Sequence, residues 1–208
     1  MTGVGKGRLI DVGPIILGYR LSTSKSADAY TALIYKKGAL VLRMMHFLLT
    51  NPQTGDEKAS AFYPMMTAFV NKYRNGAAST ENFQAVAAEF FAKSPIAQRF
   101  SLVNLDWFFS QWVYQSGLPS YTLEYEIKDG TDGSATVSGT IHQDNVGTNW
   151  VMPLPVVFTL AGDKVARTVV LANGAATPFL LKLPSHPAKV ELDPASWVLS
   201  EKTTTRLK

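Results

Sequence analysis

The sequence predicts an α+β chain of two domains, an N-terminal α-helical part followed by an antiparallel β-sandwich of about seven strands. Up to Gly117 the apolar residues recur at helical spacing. Beyond it they alternate in short runs rich in Val, Thr and aromatic residues, separated by Gly, Asn, Asp and Pro. The composition, 46% hydrophobic and 17% charged over 208 residues, is that of an ordered protein with enough chain for two cores. The expected division is an irregular lead-in over 1–26, a helical domain over 27–118 and a sandwich over 119–208.

The glycine-rich opening, Met1 to Lys6, reads as a flexible lead-in; Gly3-Val4-Gly5-Lys6-Gly7 has neither the preceding strand nor the spacing of a phosphate loop. The first helix is expected from about Ala27 to Leu49. Tyr30, Ile34, Val41, Met45 and Leu48 form one stripe and Tyr35, Leu42, His46 and Leu49 another, a pattern that predicts burial on most sides. Asn51-Pro52 and Gly55 break it. A second helix over Ala61 to Tyr73 holds Pro64 in its first turn and stops before Asn75-Gly76. Ser79 or Thr80 supplies the N-cap of a third, whose inner face is Phe83, Val86, Ala87 and Phe90. A fourth, near Asn104 to Gln115, buries Leu105, Phe108, Phe109, Trp112 and Val113, and Gly117 is expected to take the left-handed stop conformation.

Tyr121, Leu123, Tyr125 and Ile127, then Ala135, Val137, Gly139 and Ile141, alternate as half-buried strands joined through Asp129-Gly130 and Asp132-Gly133. Further strands are expected at Trp150 to Leu160, Lys164 to Leu171, Phe179 to Leu183, Lys189 to Leu192 and Trp197 to Leu199. Pro153 and Pro155, which lack a backbone N–H, push their strand toward a sheet edge or a bulge.

A net charge of +4 from scattered basic residues gives no footprint for nucleic acid. No apolar run reaches eighteen residues, so no membrane segment is expected and the chain reads as soluble. The absence of cysteine excludes disulfides and thiolate metal sites but leaves the compartment open, since many exported bacterial proteins also lack cysteine. A metalloprotease needs imidazoles spaced to share one ion, and the three histidines, His46, His142 and His186, have no ligand spacing. His46 is expected to be a packed helix residue. There is no Gly-x-Ser-x-Gly elbow.

The segment Ala32-Leu-Ile-Tyr35-Lys-Lys37-Gly38-Ala-Leu-Val-Leu-Arg-Met44-Met45 resembles the tyrosine-x-lysine-glycine helix of the M1 family of zinc aminopeptidases, a gluzincin family of hydrolases. The resemblance continues through Phe69-Val-Asn-Lys-Tyr73, Ser79-Thr-Glu-Asn-Phe83 and Asp106-Trp-Phe-Phe-Ser-Gln-Trp112 to Gly117-Leu-Pro119, in the family's order, and covers roughly residues 12 to 160. It implies that Tyr35 is catalytic, its phenol donating a hydrogen bond to the oxyanion formed when zinc-bound water attacks the peptide carbonyl. Lys37 is read as structural or a surface charge, and Gly38 as allowing a backbone to approach closely. Neither is given a catalytic role.

The family's His-Glu-x-x-His helix and Gly-Ala-Met-Glu-Asn substrate loop precede its tyrosine and are missing here. The resemblance therefore implies a fragment: the end of a catalytic domain plus a sandwich, binding no zinc itself and inactive alone. The parent would use zinc, a peptide substrate and the missing upstream regions of the same chain. Apolar faces around Tyr30, Ile34 and Met45 would be uncovered and would favour self-association. The rival reading is a non-catalytic scaffold or protein-binding module, with Tyr35 as a core residue.

Overall fold

The computed structural model describes residues 8–208; the opening glycine-rich segment, with 3–7, lies outside them. The chain folds as an α+β protein in two compact units, the first comprising residues up to Asn51 together with Gly55–Gly117, the second Pro52–Thr54 with Leu118–Lys208.

In the first unit the lead-in is more regular than expected. Leu9–Val12 and Ile15–Leu21 form 3₁₀ turns on either side of Gly13-Pro14, and Gly18, at φ 54°, kinks the second. Ile10 and Leu21 are buried, and the Ile16 amide donates to the Val113 carbonyl at 3.1 Å. A π-helical segment, Thr31–Lys37, then runs directly into α1, Gly38–Leu48. Burial on this long helix is one-sided as far as Leu42, correcting the two-stripe reading there, whereas toward its end Phe47, Leu48 and Leu49 are buried and His46 is half-buried. Ala29, Leu33, Lys37, Val41, Met44, Met45 and Leu48 face the core, whereas Tyr35 and Leu42 of the second stripe are exposed.

Next come α2 (Phe62–Lys72), α3 (Thr80–Phe91), α4 (Pro95–Phe100) and α5 (Asp106–Trp112). Asn75, and not Gly76, adopts the left-handed conformation after α2, at φ 60°. Ser79 caps α3 reciprocally: its hydroxyl accepts from the Asn82 amide at 3.2 Å while the Asn82 side chain accepts from the Ser79 amide at 3.0 Å. The short α4 was not expected; Ser94 caps it and Pro95 stands at its first position, and six residues are too few for a stripe to show. Leu105, Phe108, Phe109, Trp112 and Val113 are buried as the spacing predicts. Gly117 does not reach positive φ, so α5 ends without the left-handed stop.

The second unit holds seven strands in two sheets: β1 (Ser120–Asp129), β2 (Ala135–Asp144), β3 (Val151–Thr159), β4 (Val165–Asn173), β5 (Ala176–Leu183), β6 (Lys189–Leu192) and β7 (Lys202–Leu207). Their orders are β5-β2-β1-β7 and β4-β3-β6. The hairpin between β1 and β2 turns where Asp129-Gly130 and Asp132-Gly133 predict, with Gly133 at φ 80° and the Gly130 amide donating to the Ser134 carbonyl. Inward residues alternate along β1 to β3, from Tyr121 and Leu123 through Val137 and Ile141 to Met152, Leu154, Val156 and Phe158.

Two strand expectations change. The strand bearing Pro153 and Pro155 is the middle one, but β6 covers only Val156–Thr159. The Pro155 carbonyl points to the β6 side, accepting from the Asp193 amide at 2.8 Å, so the proline nitrogens lie on the side where that part of β3 has no strand beside it. Trp197 to Leu199 is not a strand. The Asp193 carboxylate accepts from the amides of Trp197 (2.9 Å) and Val198 (2.8 Å) and curls this stretch into a loop. The loop delivers β7 alongside β1 as the one parallel pair in the unit. The polar run Lys-Thr-Thr-Thr-Arg-Leu has no apolar alternation, which hid β7 as a C-terminal tail.

Candidate functional site

Tyr35 stands on the π-helical segment, where the Gly38 amide donates to the Leu33 carbonyl five residues back and to the Tyr35 carbonyl three residues back. Single π turns are costly in isolation and concentrate at functional sites. The core stripe on this helix passes through Leu33, Lys37 and Val41, so Tyr35 faces outward and is 63% exposed. It is a surface residue.

Two further tyrosines belong to the same surface. Tyr30 meets Tyr35 edge to face at 5.8 Å between ring centroids, and Tyr19 stacks on Tyr30 at 4.8 Å. The Tyr30 phenol is pushed up to about 12, first by hydrogen bonding with Tyr19, then by partial burial and the neighbouring Tyr19 charge, with a smaller contribution from Tyr35. Tyr30 therefore stays protonated across the neutral range, keeping a neutral hydroxyl beside Tyr35. Helical spacing places Tyr30 one turn before Ile34, on the core stripe, and contains no signal that Tyr19 folds back onto it. Only the 3₁₀ turns of the lead-in bring Tyr19 there.

Tyr35 helps to line an open pocket of about 560 Å³ in the first unit. Its lining includes Ile34, Gly38, Leu42, Phe83 and Phe108 together with Tyr35, Ser79 and Thr80. The volume is that of a small-molecule or side-chain pocket and the lining is mainly apolar. Met45, expected on an uncovered face, is buried; Tyr30 and Ile34 are half-buried.

Of the two roles expected for Lys37, structural or a surface charge, its burial leaves the first. It is 0% exposed, not a surface charge. Its Nζ donates to the Gln115 carbonyl at 3.4 Å, and among the described residues no carboxylate pairs with it. Burial pulls the amine down to about 8. Its position was legible: four residues after Leu33 and four before Val41, Lys37 lies on the buried stripe. Among the described residues no second backbone lies against Gly38; a Cβ there would meet the Leu33 carbonyl of its own helix, at 3.9 Å.

The three histidines stand apart in their bonding. His46 Nε2 lies 3.2 Å from the Glu57 carbonyl and its ring stacks on Phe62, the packed role expected of it. His142 faces Glu124 at 3.6 Å, and His186 Nδ1 faces Asp129 at 2.7 Å. Among the described residues no three His, Cys, Asp or Glu side chains are grouped to hold a metal, and no helix is long and apolar enough to cross a membrane.

Comparison with known proteins found no family model that matches the chain and no curated protein whose sequence matches it.

Proposed function

We propose that this chain is the tyrosine-bearing part of an M1-type zinc aminopeptidase, contributing the end of the catalytic domain and the sandwich after it. The observation that carries the reading is the setting of Tyr35. The tyrosine of the Tyr-x-Lys-Gly segment projects from a π turn into solvent, beside Tyr30 and at the rim of an apolar pocket.

The residues present do not fit a zinc ion, because the histidines are separately engaged and among the described residues no carboxylate joins them in a ligand set. No step is assigned to a metal here. The ligands, and the substrate loop, belong to upstream parts of a longer parent, and this chain is inactive alone. Its own contribution is electrostatic. As the scissile carbonyl carbon becomes tetrahedral, its oxygen gains negative charge, and the Tyr35 hydroxyl donates a hydrogen bond to that oxygen. A donor already in place before the charge develops lowers the barrier by about 2–4 kcal/mol, and does so because the bond is stronger in the transition state than to the ground-state carbonyl.

A second reading, a non-catalytic binding surface, is favoured by one observation: Tyr19, at 81% exposure, joins Tyr35 and Leu42 in presenting large exposed side chains on the first unit. The two readings separate on activity. The full-length, zinc-loaded protein is assayed on a panel of amino-acid amides, with Tyr35→Phe beside it. Hydrolysis that falls about a hundredfold or more in the variant supports the peptidase. A folded, metal-loaded protein that hydrolyses none of the panel refutes it and leaves the binding surface.

A further inference from the structure

We infer that Lys37 is a positioning residue for Tyr35: its buried ammonium, bonded to the Gln115 carbonyl, clamps the π turn against the chain leaving α5 and so sets where the Tyr35 hydroxyl stands.

Packing alone does not explain a lysine here. Its neighbours along the stripe are Leu33 and Val41, and Lys37 is fully buried between them in sequence. An ammonium in such a place, with one neutral acceptor and no carboxylate among the described residues, is a burden on folding that Met, of similar length, would not impose. What the amine adds beyond its carbon stem is the bond to Gln115. That acceptor is a backbone carbonyl three residues past the end of α5, in the chain that leaves the helix.

The clamp acts where the helix is irregular. The five-residue bond from the Gly38 amide to the Leu33 carbonyl encloses Tyr35 and Lys37 in one wide turn. A turn of that kind has poorer intrinsic stability than the α form and persists where tertiary bonds hold it. Lys37 is its last residue and makes such a bond. Were the turn to relax to α geometry, Tyr35 would rotate about the helix axis relative to Tyr30 and the pocket.

The geometry can be tested on this chain without the peptidase reading; the activity arm rests on that reading. In isotopically labelled wild type, NMR couplings across hydrogen bonds should link the Gly38 amide to the Leu33 carbonyl and the Lys37 amine to the Gln115 carbonyl. In Lys37→Met the Gly38 coupling should move to the Ile34 carbonyl and the Tyr35 ring signals should shift, while Lys37→Arg, which keeps a donor, should retain the Leu33 coupling. A Lys37→Met chain that keeps the Leu33 coupling overturns the inference. Should that variant fail to fold, absence of the wild-type amine coupling to Gln115 overturns it just as directly.

In the zinc-loaded full-length protein, Lys37→Met should lower kcat by about ten- to a hundredfold, with KM within about threefold and recovery in Lys37→Arg. A lost π turn with unchanged kcat sinks the positioning role while leaving the peptidase reading intact. A wild type without activity sinks the peptidase reading, and the NMR result still decides whether Lys37 holds the turn.

Discussion

Burial pulls the Lys37 amine from its ordinary 10.5 to about 8, because no neighbouring carboxylate offsets the lost hydration. The consequence for stability has a definite sign. Below pH 8 both folded and unfolded chains carry the proton, and the fold bears the full cost of burying it. Between pH 8 and 10.5 the unfolded chain binds more protons, so stability rises with pH; above 10.5 the cost is gone. The rise is on the order of 3 kcal/mol. Urea unfolding of wild type and Lys37→Met checks it: the methionine variant should be the more stable at pH 7, and its advantage should shrink toward pH 10. A constant difference between the two would contradict the account. Gly38 offers a second residue-scale prediction. It sits at φ −57°, ψ −44°, with room for a methyl group. Gly38→Ala should therefore stabilise the chain by about 0.5–1 kcal/mol through reduced freedom of the unfolded backbone, read from thermal unfolding.

At the scale of elements, legibility followed periodicity and capping chemistry. α2 and α3 were visible because each carries an apolar stripe and a recognisable stop or start, α5 through its apolar stripe alone, and the β1–β2 hairpin because its turn is written in Asp-Gly pairs. Ser79 is the clearest case, and Ser79→Ala should cost about 1 kcal/mol in denaturant unfolding, with helix loss confined to the start of α3. The misreadings have local causes. Trp197 to Leu199 has strand composition, but the nearly buried Asp193 captures its amides, a side-chain to backbone bond that periodicity does not register. Asp193→Ala leaves two amides without their charged acceptor and should cost about 2–3 kcal/mol. A loss below about 0.5 kcal/mol would mean the loop is held by something else. The π turn was invisible for a related reason. The tyrosine, the lysine and the glycine are all in the sequence, but the extra residue in the turn depends on a carbonyl contributed by residue 115.

On the scale of the whole molecule, the helical-then-sandwich order was read from one change of pattern near Gly117, and the fold agrees. The candidate site was legible in part. Tyr35 came from a motif resemblance and the burial of Lys37 was legible in the spacing of Leu33, Lys37 and Val41, whereas the approach of Tyr19 and Tyr30 to Tyr35 arises from how the lead-in meets the first helix. Exposed Tyr19, Tyr35 and Leu42 should also make the isolated chain self-associate; light scattering that shows a monomer at every concentration would count against an uncovered face. The central claim, that Tyr35 stabilises an oxyanion, is tested most directly by ligand affinity in the zinc-loaded full-length protein. A phosphinic peptide, whose tetrahedral oxygens mimic the developing charge, is compared with an unreactive substrate amide on wild type and Tyr35→Phe. The account predicts that the variant loses about a hundredfold in affinity for the phosphinic peptide and almost none for the amide. Equal losses for both ligands, or no loss for either, would contradict it.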